Sequence, residues 1–460
     1  MLKKVIVILM AMALVFTLIA CAADEPAPAQ PEQEAQVDAD EDEDEGDVEE
    51  PPAPAGDGAE PVTIRVFTNL PDRTSGQGLI EQMLIDAFIE EHPHVTIEVE
   101  ALQDEDYKLM FTVFAAGGEM PDFVSGWGFP SFLDEVIDAG LIAELDPADY
   151  VDYGFIEGTK AGFMRDGRLY GLPRNTDVWG FYYNQAVFEE HGWSVPETFD
   201  EFVELTGEIR AAGLQPVSIN GGDGWPLSLF FNNMLAQMYG PGIMELQNGL
   251  ISSGDWNHPV VLETATLFQE AALEGFFATG FESADYGGAQ ALFTSGQAAI
   301  YAMGGWETGM ATNDALDEDF RENLRAFKMP AIDGAAGTVY DVAAWNGGGY
   351  FVTAGGPVQD YAIKLLNFFF RPDNWNRLTW EHGVTMSAQD FTQYFTGDET
   401  PVQLQFVEFF QSSTSVSGPP AIDLGTAEFK ITAESLIIDL AIGLLTPQEW
   451  IDAMSEASQN

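Results

Sequence analysis

Five tryptophans of this chain stand in segments whose composition favours loops. Each has Gly, Asn or Asp close beside it, as in Ser-Gly-Trp-Gly and Trp-Asn-Gly-Gly-Gly. The five are Trp127, Trp179, Trp225, Trp306 and Trp345. A flat indole face packs well against the C–H face of a sugar ring, and neighbouring amides and carboxylates can bond the hydroxyl groups. A single tryptophan is more often a core anchor, but the set favours a pocket with aromatic walls for a neutral polar ligand.

Motifs for catalysis are weak by comparison. The sequence contains no Gly-x-Ser-x-Gly, no His-Glu-x-x-His and no P-loop. The glycine-rich stretch 221–224 lacks a following Lys-Ser or Lys-Thr, so it predicts a turn. His92 and His94 form the only close histidine pair, and their place between a predicted helix and a predicted strand favours a structural role. We therefore predict no catalytic residue, no metal site and no cofactor.

The N-terminal residues have the order of a secretory leader. Lys3 and Lys4 precede an apolar stretch over residues 5–20, which is shorter than the roughly 20 residues of a membrane-spanning helix. The stretch ends in Leu-Ile-Ala-Cys, and Cys21 is the only cysteine, so disulfides are excluded. This ending resembles the lipobox of bacterial lipoproteins, which implies a signal peptide over residues 1–20 and a lipid on Cys21. The alternative is an uncleaved N-terminal anchor.

Residues 21–60 are of low complexity. They hold 16 of the 75 acidic residues, no Lys or Arg and no aromatic residue, so they cannot bury enough apolar surface to fold. Their acidic run has Gly46 at the sixth position of a calcium loop, but Pro52 stands at the twelfth, where a Glu is needed. We predict a disordered acidic tether, about 35 Å long as a flexible coil.

The whole chain is strongly acidic, with a formal net charge of −58. A field of this sign repels nucleic acid and anionic lipid surfaces, and it argues against an anionic ligand gathered by long-range steering. The chain from Pro61 to Asn460 is also longer than the ~250–300 residues at which single hydrophobic cores stop growing. We therefore expect two lobes.

Folded structure is predicted to begin near Pro61. Residues 62–66 alternate as a strand does, residues 80–88 repeat apolar side chains as one helix face does, and residues 95–101 alternate again. A second helix over 106–116 and a strand over 121–124 complete a β-α-β-α-β order, which predicts a parallel sheet. Two capping boxes, Thr198 with Glu201 and Thr446 with Glu449, predict later helix starts.

Six short segments follow one another in an informative order. They are a helix, His-Pro and strand over 83–99, Ala-Ala-Gly-Gly-Glu-Met-Pro-Asp at 115–122, Gly-Leu-Pro at 171–173 with Tyr-Tyr-Asn at 182–184, Pro-Glu-Thr-Phe-Asp-Glu-Phe at 196–202, Phe-Thr-Ser-Gly-Gln-Ala-Ala at 293–299, and Gly-Gly-Gly-Tyr at 347–350. Together they resemble landmarks of the extracellular solute-binding proteins of the sugar-binding class (family 1), which contains maltose-binding protein. Each match is weak alone, but six in order behind a lipobox make the resemblance specific over residues 61–460.

The resemblance implies an α/β fold with two lobes, like that of periplasmic binding proteins. Each lobe would be a mainly parallel sheet flanked by helices, with the ligand cleft between the lobes. Lobe 1 would comprise residues 61–175 plus 332–385, and lobe 2 residues 176–331 plus 386–460. The chain would cross between them near 173–177, 329–333 and 384–388.

The resemblance also implies positions for ligand contacts. Asn69 and Asp72 would be polar contacts after the first strand, and Trp127 an aromatic wall of the first lobe. Asp177 would be a hinge carboxylate that accepts sugar hydroxyls, and Trp306 the stacking residue of the second lobe. The other predicted contacts are Trp179, Asp223, Trp225, Trp345, Gly347 and Gly348.

These features together predict a lipid-anchored receptor of a carbohydrate ABC importer at the outer face of the cytoplasmic membrane, and not an enzyme. Its partners would be a small-molecule sugar, the ABC permease subunits and the membrane through the lipid anchor only. We expect a monomer that binds no nucleic acid. Two alternatives stay open: a binding protein for a non-sugar solute such as a polyamine, and a surface glycoside-acting enzyme using Asp177 and Glu307 as its carboxylates.

Overall fold

The computed structural model describes residues 60–459, which belong to one compact unit. The signal peptide predicted over residues 1–20, the lipidation site Cys21 and the predicted tether up to residue 59 lie outside the described residues. Over residues 60–459, every helix is too short or too polar to cross a membrane.

The described chain alternates helices and strands throughout. The strands, β1 to β14 in chain order, are Val62–Thr68, Val95–Ala101, Phe123–Trp127, Met164–Arg165, Arg168–Leu169, Leu172–Pro173, Thr176–Asn184, Gln215–Ser218, Ala298–Gly304, Leu324–Phe327, Asp341–Val342, Ala344–Asn346, Gly348–Val352 and Ser415–Val416. The α-helices are Gly76–Glu91, Asp104–Gly117, Pro130–Asp138, Gln185–His191, Phe199–Ala211, Trp225–Tyr239, Ile243–Ser253, Pro259–Leu273, Tyr286–Thr294, Glu318–Asn323, Gln359–Phe369, Trp375–Glu381, Pro401–Gln411, Ala427–Ala441 and Pro447–Ala457. Short 3-10 helices include Gly221–Asp223, Gly305–Thr312 and Ala421–Leu424.

The first sheet confirms the predicted β-α-β-α-β order. Its strand order is β2-β1-β3-β13-β6, and β1 pairs in parallel with both β2 and β3. Helices Gly76–Glu91 and Asp104–Gly117 make the two crossovers. The carboxyl ends of β1 and β3 meet at one edge, where the backbone N–H of Asn69 donates to Ser125 Oγ at 3.0 Å. This edge is where ligands bind in open α/β sheets.

The second sheet has the order β10-β7-β9-β8, with β12 also paired to β7. Strand β8 is parallel to β9, but β7 runs antiparallel to β9, β10 and β12. In the first sheet β13 is likewise antiparallel to β3 and β6. The expectation of mainly parallel sheets is wrong in this detail. Strands β7 and β13 begin where the chain crosses between the lobes and run away from the crossing. Strands β1, β3 and β9 run towards the crossing.

Three chain segments run side by side between the two sheets. The N–H of Thr176 donates to the carbonyl of Met386 at 3.0 Å, and the N–H of Gly347 donates to the carbonyl of Asn175 at 3.0 Å. The crossings predicted near 173–177 and 384–388 fall on two of these segments. The third lies near Gly347, later than the crossing predicted at 329–333.

Each sheet carries its own hydrophobic core. Ile64 and Phe369 belong to the cluster on the first sheet, and Phe181 and Trp450 to the cluster on the second. Ile332 and the apolar residues of 342–345 pack into the second cluster, although we predicted residues 332–385 for the first lobe. Their packing favours a later return to the first lobe, and the lobe boundaries stay a prediction.

Both predicted capping boxes are confirmed. The Thr198 side chain accepts from the N–H of Glu201, and the Glu201 carboxylate accepts from the N–H of Thr198. Thr446 and Glu449 make the same reciprocal pair before helix Pro447–Ala457. Each box satisfies two N–H groups that a helix start otherwise leaves unpaired.

Candidate functional site

A cavity of about 330 Å³ lies between the two lobes, where the strands cross. The first lobe contributes the loop after β1 and the beginning of helix Gly76–Glu91, and the second contributes residues of the 3-10 helix Gly305–Thr312. The predicted contacts that line it are Asn69, Asp72, Trp127, Asp177, Trp225, Trp306, Trp345 and Gly348. The structure therefore brings together residues that are far apart in sequence, and their roles in binding stay predictions.

Three predicted contacts do not line the cavity. Trp179 is 1% exposed and lies under the Trp306 indole, with the two ring centroids 6.3 Å apart. Asp223 accepts a hydrogen bond from Asn220 Nδ2 at 2.6 Å. Gly347 lies against the Asp177 carboxylate, since a Cβ there would overlap Asp177 Oδ2. Two of them contact residues that line the cavity: Trp179 packs against Trp306, and Gly347 lies against Asp177.

A chain of polar side chains forms the floor of the cavity at the crossing. Arg174 Nη1 and Nη2 both donate to Asn69 Oδ1 at 3.3 Å, and its Nε donates to Asn175 Oδ1 at 3.2 Å. Asn175 Nδ2 in turn donates to Asp177 Oδ1 at 2.5 Å. These hydrogen bonds hold the Asp177 carboxylate through Oδ1 and leave its second oxygen, Oδ2, without a partner among these side chains.

Two glycines explain why these side chains can lie flat on the crossing segment. A Cβ on Gly348 would come within 2.7 Å of Arg174 Nη2, and a Cβ on Gly347 would overlap Asp177 Oδ2. Gly347 therefore contributes to the site by leaving room for the Asp177 carboxylate.

Aromatic rings of the second lobe form one continuous wall. The Trp306 ring centroid lies 6.1 Å from that of Trp225 and 6.0 Å from that of Trp345. Tyr286 joins the wall, because Trp306 Nε1 donates to its hydroxyl at 3.0 Å. Gly304 allows the indole of Trp306 to fold back over the backbone, since a Cβ there would overlap the ring. The first lobe contributes a further indole, that of Trp127.

A buried carboxylate stands beside the aromatic wall. Glu307 is 9% exposed; its Oε1 accepts from the Tyr286 hydroxyl and its Oε2 from Gln290 Nε2 at 2.5 Å. Burial raises the pKa of Glu307 to about 7, against the lowering effect of these two donors. Burial likewise raises the pKa of Asp177 to about 7, against the lowering effect of Asn175 and Arg174. The cavity thus holds two carboxyl groups that change charge near neutral pH.

We expect the free protein to lose stability as the pH rises from about 4 to about 7. Unfolded Asp and Glu titrate near 4, whereas native Asp177 and Glu307 keep their protons to about 7. The native state therefore binds more protons in this window, so its stability falls with rising pH, by on the order of a few kcal/mol. Urea unfolding at about pH 5 and about pH 7.5 measures the difference.

The matched variant for this pH effect carries Asp177→Asn and Glu307→Gln together. These substitutions remove both titrating groups, so the stability lost between the two pH values should shrink relative to the original chain. An equal pH dependence in both proteins would show that other groups cause it.

Contacts also join the two lobes around the cavity. Trp225 Nε1 of the second lobe donates to Asp104 Oδ2 of the first lobe at 2.7 Å. On the same side, Ser131 Oγ donates to Asp423 Oδ1 at 3.5 Å. A ligand in the cavity would be enclosed by both lobes.

Basic residues are scarce in this acidic chain, yet Lys108, Arg174 and Lys430 all line the cavity. Lys108 Nζ lies 2.5 Å from Glu105 Oε1 and 5.6 Å from the Trp127 ring centroid. Lys430 Nζ contacts Asp423 Oδ1. The two lysines are thus paired with acids, whereas Arg174 donates to the amide oxygens of Asn69 and Asn175.

Sequence reasoning missed several lining residues. Arg174 and Asn175 stand immediately after the Gly-Leu-Pro segment and close to Asp177, so their place in that motif could have revealed them. Tyr286 and Lys430 carry no local signal, because only the packing of their helices brings them to the cavity.

A cavity enclosed between two α/β lobes that share side-by-side crossing segments defines a two-lobed solute-binding protein. The model of the bacterial extracellular solute-binding protein family matches residues 71–374. The chain belongs to this family, which places it outside the cytoplasm.

Its relatives are similar over part of their length. An uncharacterized ABC transporter extracellular-binding protein of Pyrococcus horikoshii is 29% identical, over 49% of this chain and 53% of the relative. The multiple sugar-binding protein of Streptococcus mutans is 25% identical, over 48% of this chain and 53% of the relative. The chain thus spans about half the length of the curated relatives it matches. The solved structure of a chitin oligosaccharide binding protein has the same fold, with a TM-score of 0.76 at 22% identity over 87% of this chain and 99% of that chain.

Proposed function

We propose that this chain is the substrate-binding protein of a carbohydrate ABC importer, which captures a sugar between its lobes and delivers it to the permease. The observation that carries the proposal is the aromatic wall of Trp225, Trp306 and Trp345 facing a floor of amides and carboxylates. Indole faces suit the apolar faces of sugar rings, and the floor offers acceptors and donors for hydroxyl groups. The sugar-binding relative from Streptococcus mutans supports this proposal.

The proposed mechanism is capture by lobe closure. A ligand can favour the closed lobes only by its differential affinity for that state. The cavity provides such a difference because Trp127 and Asn69 approach from the first lobe while Trp306 and Glu307 approach from the second. A ligand that touches both sets stabilises closure, and the permease would recognise the closed form.

The amide content of the cavity favours a sugar over a polyamine. A polyamine site needs carboxylates with few competing amides, because each ammonium group seeks a negative partner. This cavity is also lined by amides, which are Asn69, Gln77, Gln103, Asn175, Gln290 and Asn313. Arg174, whose hydrogen bonds go to amide oxygens, adds positive charge that would repel a polyamine.

One observation keeps the glycoside-acting enzyme as a second candidate. Asp177 and Glu307 line the same cavity, and the pKa of each is raised to about 7. A carboxyl group with a raised pKa can serve as a general acid. Sugar turnover that is lost in both Asp177→Asn and Glu307→Gln would favour this enzyme over the binding protein.

The N-terminal predictions complete the proposed function. A lipid on Cys21 would hold the protein at the outer face of the cytoplasmic membrane, and the tether of residues 21–60 would let the monomeric body reach the permease. Acyl chains contribute roughly 0.8 kcal/mol per buried CH₂, so more than one chain gives a stable hold. Such anchoring raises the local concentration of the receptor beside its partner.

A thermal-shift screen tests the proposed function. The panel holds maltotriose, lactose, raffinose and a chitin oligosaccharide, with spermidine and a tripeptide as non-sugar comparisons. At about 100 times its Kd, a bound sugar should stabilise the protein by about 2.7 kcal/mol and raise Tm accordingly. A rise with spermidine or the tripeptide and with no sugar would overturn the carbohydrate proposal.

A further inference from the structure

A buried side-chain amide in the cavity has no hydrogen-bond partner among residues 60–459. Gln77 is 8% exposed and lines the cavity at the second residue of helix Gly76–Glu91. Its buried Oε1 accepts no hydrogen bond from any group of residues 60–459. A buried polar group left unbonded is costly, and a water, an ion or a functional role commonly accounts for it.

Other buried glutamines keep at least one hydrogen bond on the amide, even where Oε1 is unbonded, as in Gln247 and Gln389. Gln237 Nε2 donates to the Met329 carbonyl at 2.9 Å, and its Oε1 accepts from the N–H of Ile332 at 3.3 Å. Gln290, which also lines the cavity, donates to Glu307 Oε2 at 2.5 Å. The Gln77 amide differs from these glutamines because no group in the described part of the chain bonds its nitrogen or its oxygen.

The helix start around Gln77 has further uncommitted donors. Ser75 precedes the helix in an extended conformation, but its side chain accepts no hydrogen bond from the first turn. The Asp72 carboxylate, which could also cap the helix, accepts instead from the Thr74 N–H at 2.8 Å and from Ser75 Oγ at 2.5 Å. The first-turn N–H groups therefore gain no side-chain acceptor from this loop, and a helix N-terminus favours oxygen atoms of a ligand.

Glycines on both sides hold Gln77 in this position. Gly76 has φ +56°, a conformation that L side chains rarely adopt, and a Cβ on Gly78 would overlap the Asp72 carbonyl oxygen. Gly309 of the second lobe also packs close to Gly76, since a Cβ on Gly309 would lie 3.4 Å from the Gly76 Cα. Gln77 thus lies where the lobes meet.

We propose that Gln77 is a ligand-recognition residue whose amide binds hydroxyl groups of the captured sugar. A carboxamide nitrogen presents two N–H donors, so Gln77 Nε2 can donate to hydroxyl oxygens of the sugar, whereas Oε1 is itself buried. The proposal rests on the proposed function for the identity of the ligand. The unbonded state of the amide does not depend on that identity.

The test compares Gln77→Met with Gln237→Met, a matched change at a buried glutamine outside the cavity whose amide nitrogen and oxygen are both bonded. Methionine keeps a similar length and removes the amide. We expect Gln77→Met to keep or raise the Tm of the free protein and to weaken binding by about tenfold to hundredfold. Gln237→Met should lower the Tm of the free protein and leave affinity within about threefold.

Titration calorimetry measures affinity, using the compound of the thermal-shift panel that raises Tm most. A second set of titrations uses monodeoxy derivatives of that sugar, each lacking one hydroxyl group. The derivative that lacks the hydroxyl bound by Gln77 should bind the original protein more weakly than the parent sugar does. The same derivative should bind Gln77→Met as well as the parent sugar does. Equal penalties in both proteins at every position would overturn the proposal.

The comparison of Tm values tests the assignment of Gln77 even if no sugar of the panel binds. That result would contradict the proposed function. A fall in the Tm of free Gln77→Met as large as that of Gln237→Met would separately show that the Gln77 amide stabilises the fold, and would overturn its assignment to ligand recognition.

Discussion

Replacing Trp306 by Ala is expected to weaken sugar binding by about 100-fold, which corresponds to about 2.7 kcal/mol. Trp306 is the central ring of the aromatic wall, within 6.1 Å of Trp225 and 6.0 Å of Trp345 between ring centroids. Buried tryptophans at the centre of a binding surface commonly cost 2 kcal/mol or more on truncation. The change also removes the indole N–H that donates to Tyr286. Titration calorimetry with the sugar found in the thermal-shift screen measures the effect.

Trp193→Ala is the matched control for this experiment. Trp193 belongs to the second lobe but lies away from the cavity, stacked on His191 with ring centroids 4.3 Å apart. Its loss should change affinity by less than about twofold. Similar losses in the two variants would mean that Trp306 acts through the fold of the lobe and not through contact with the sugar.

Gly347→Ala is expected to abolish measurable sugar binding and to destabilise the protein by about 1–3 kcal/mol, the usual range for an overpacked site. The added methyl group would overlap Asp177 Oδ2 and lie 2.7 Å from Asn175 Nδ2. Because Asn175 also contacts Arg174, the methyl group would displace the polar floor as a whole. Calorimetry measures the binding, and urea unfolding measures the stability.

Gly249→Ala provides the comparison for the glycine change. Gly249 lies within helix Ile243–Ser253, and a Cβ there would meet open space. Alanine in a helix should stabilise by about 0.5–1 kcal/mol, without effect on binding. Unchanged affinity in Gly347→Ala would show that Asp177 does not contact the sugar.

Local patterns in the sequence were sufficient for the parts of the fold that depend on short-range rules. The alternation of residues 62–66 and 95–101 predicted β1 and β2, whose parallel pairing the structure confirms. The capping boxes at Thr198 and Thr446 were likewise predicted, because each depends on residues three positions apart. Strand direction in the second sheet was not predictable this way, since it depends on where the chain crosses between the lobes.

The candidate site shows the same limit at the level of single residues. Trp179 and Trp306 both stand beside glycine, and both were predicted as ligand contacts. The structure places Trp306 at the cavity and Trp179 beneath it, opposite Gly304 in the pairing of β7 with β9. Exposure to the cavity is thus decided by register between distant strands. Gln77 is the opposite case to Trp179, because it lines the cavity although no local sequence pattern distinguishes it. Only the structure, in which its side-chain amide is unbonded, reveals it.

The hydrogen bond from Trp225 to Asp104 has a kinetic consequence. It spans the two lobes at the wall of the cavity, so the bond must break before the lobes can separate. We expect it to lengthen the residence time of the ligand, since differences in affinity within one binding site lie mostly in the dissociation rate.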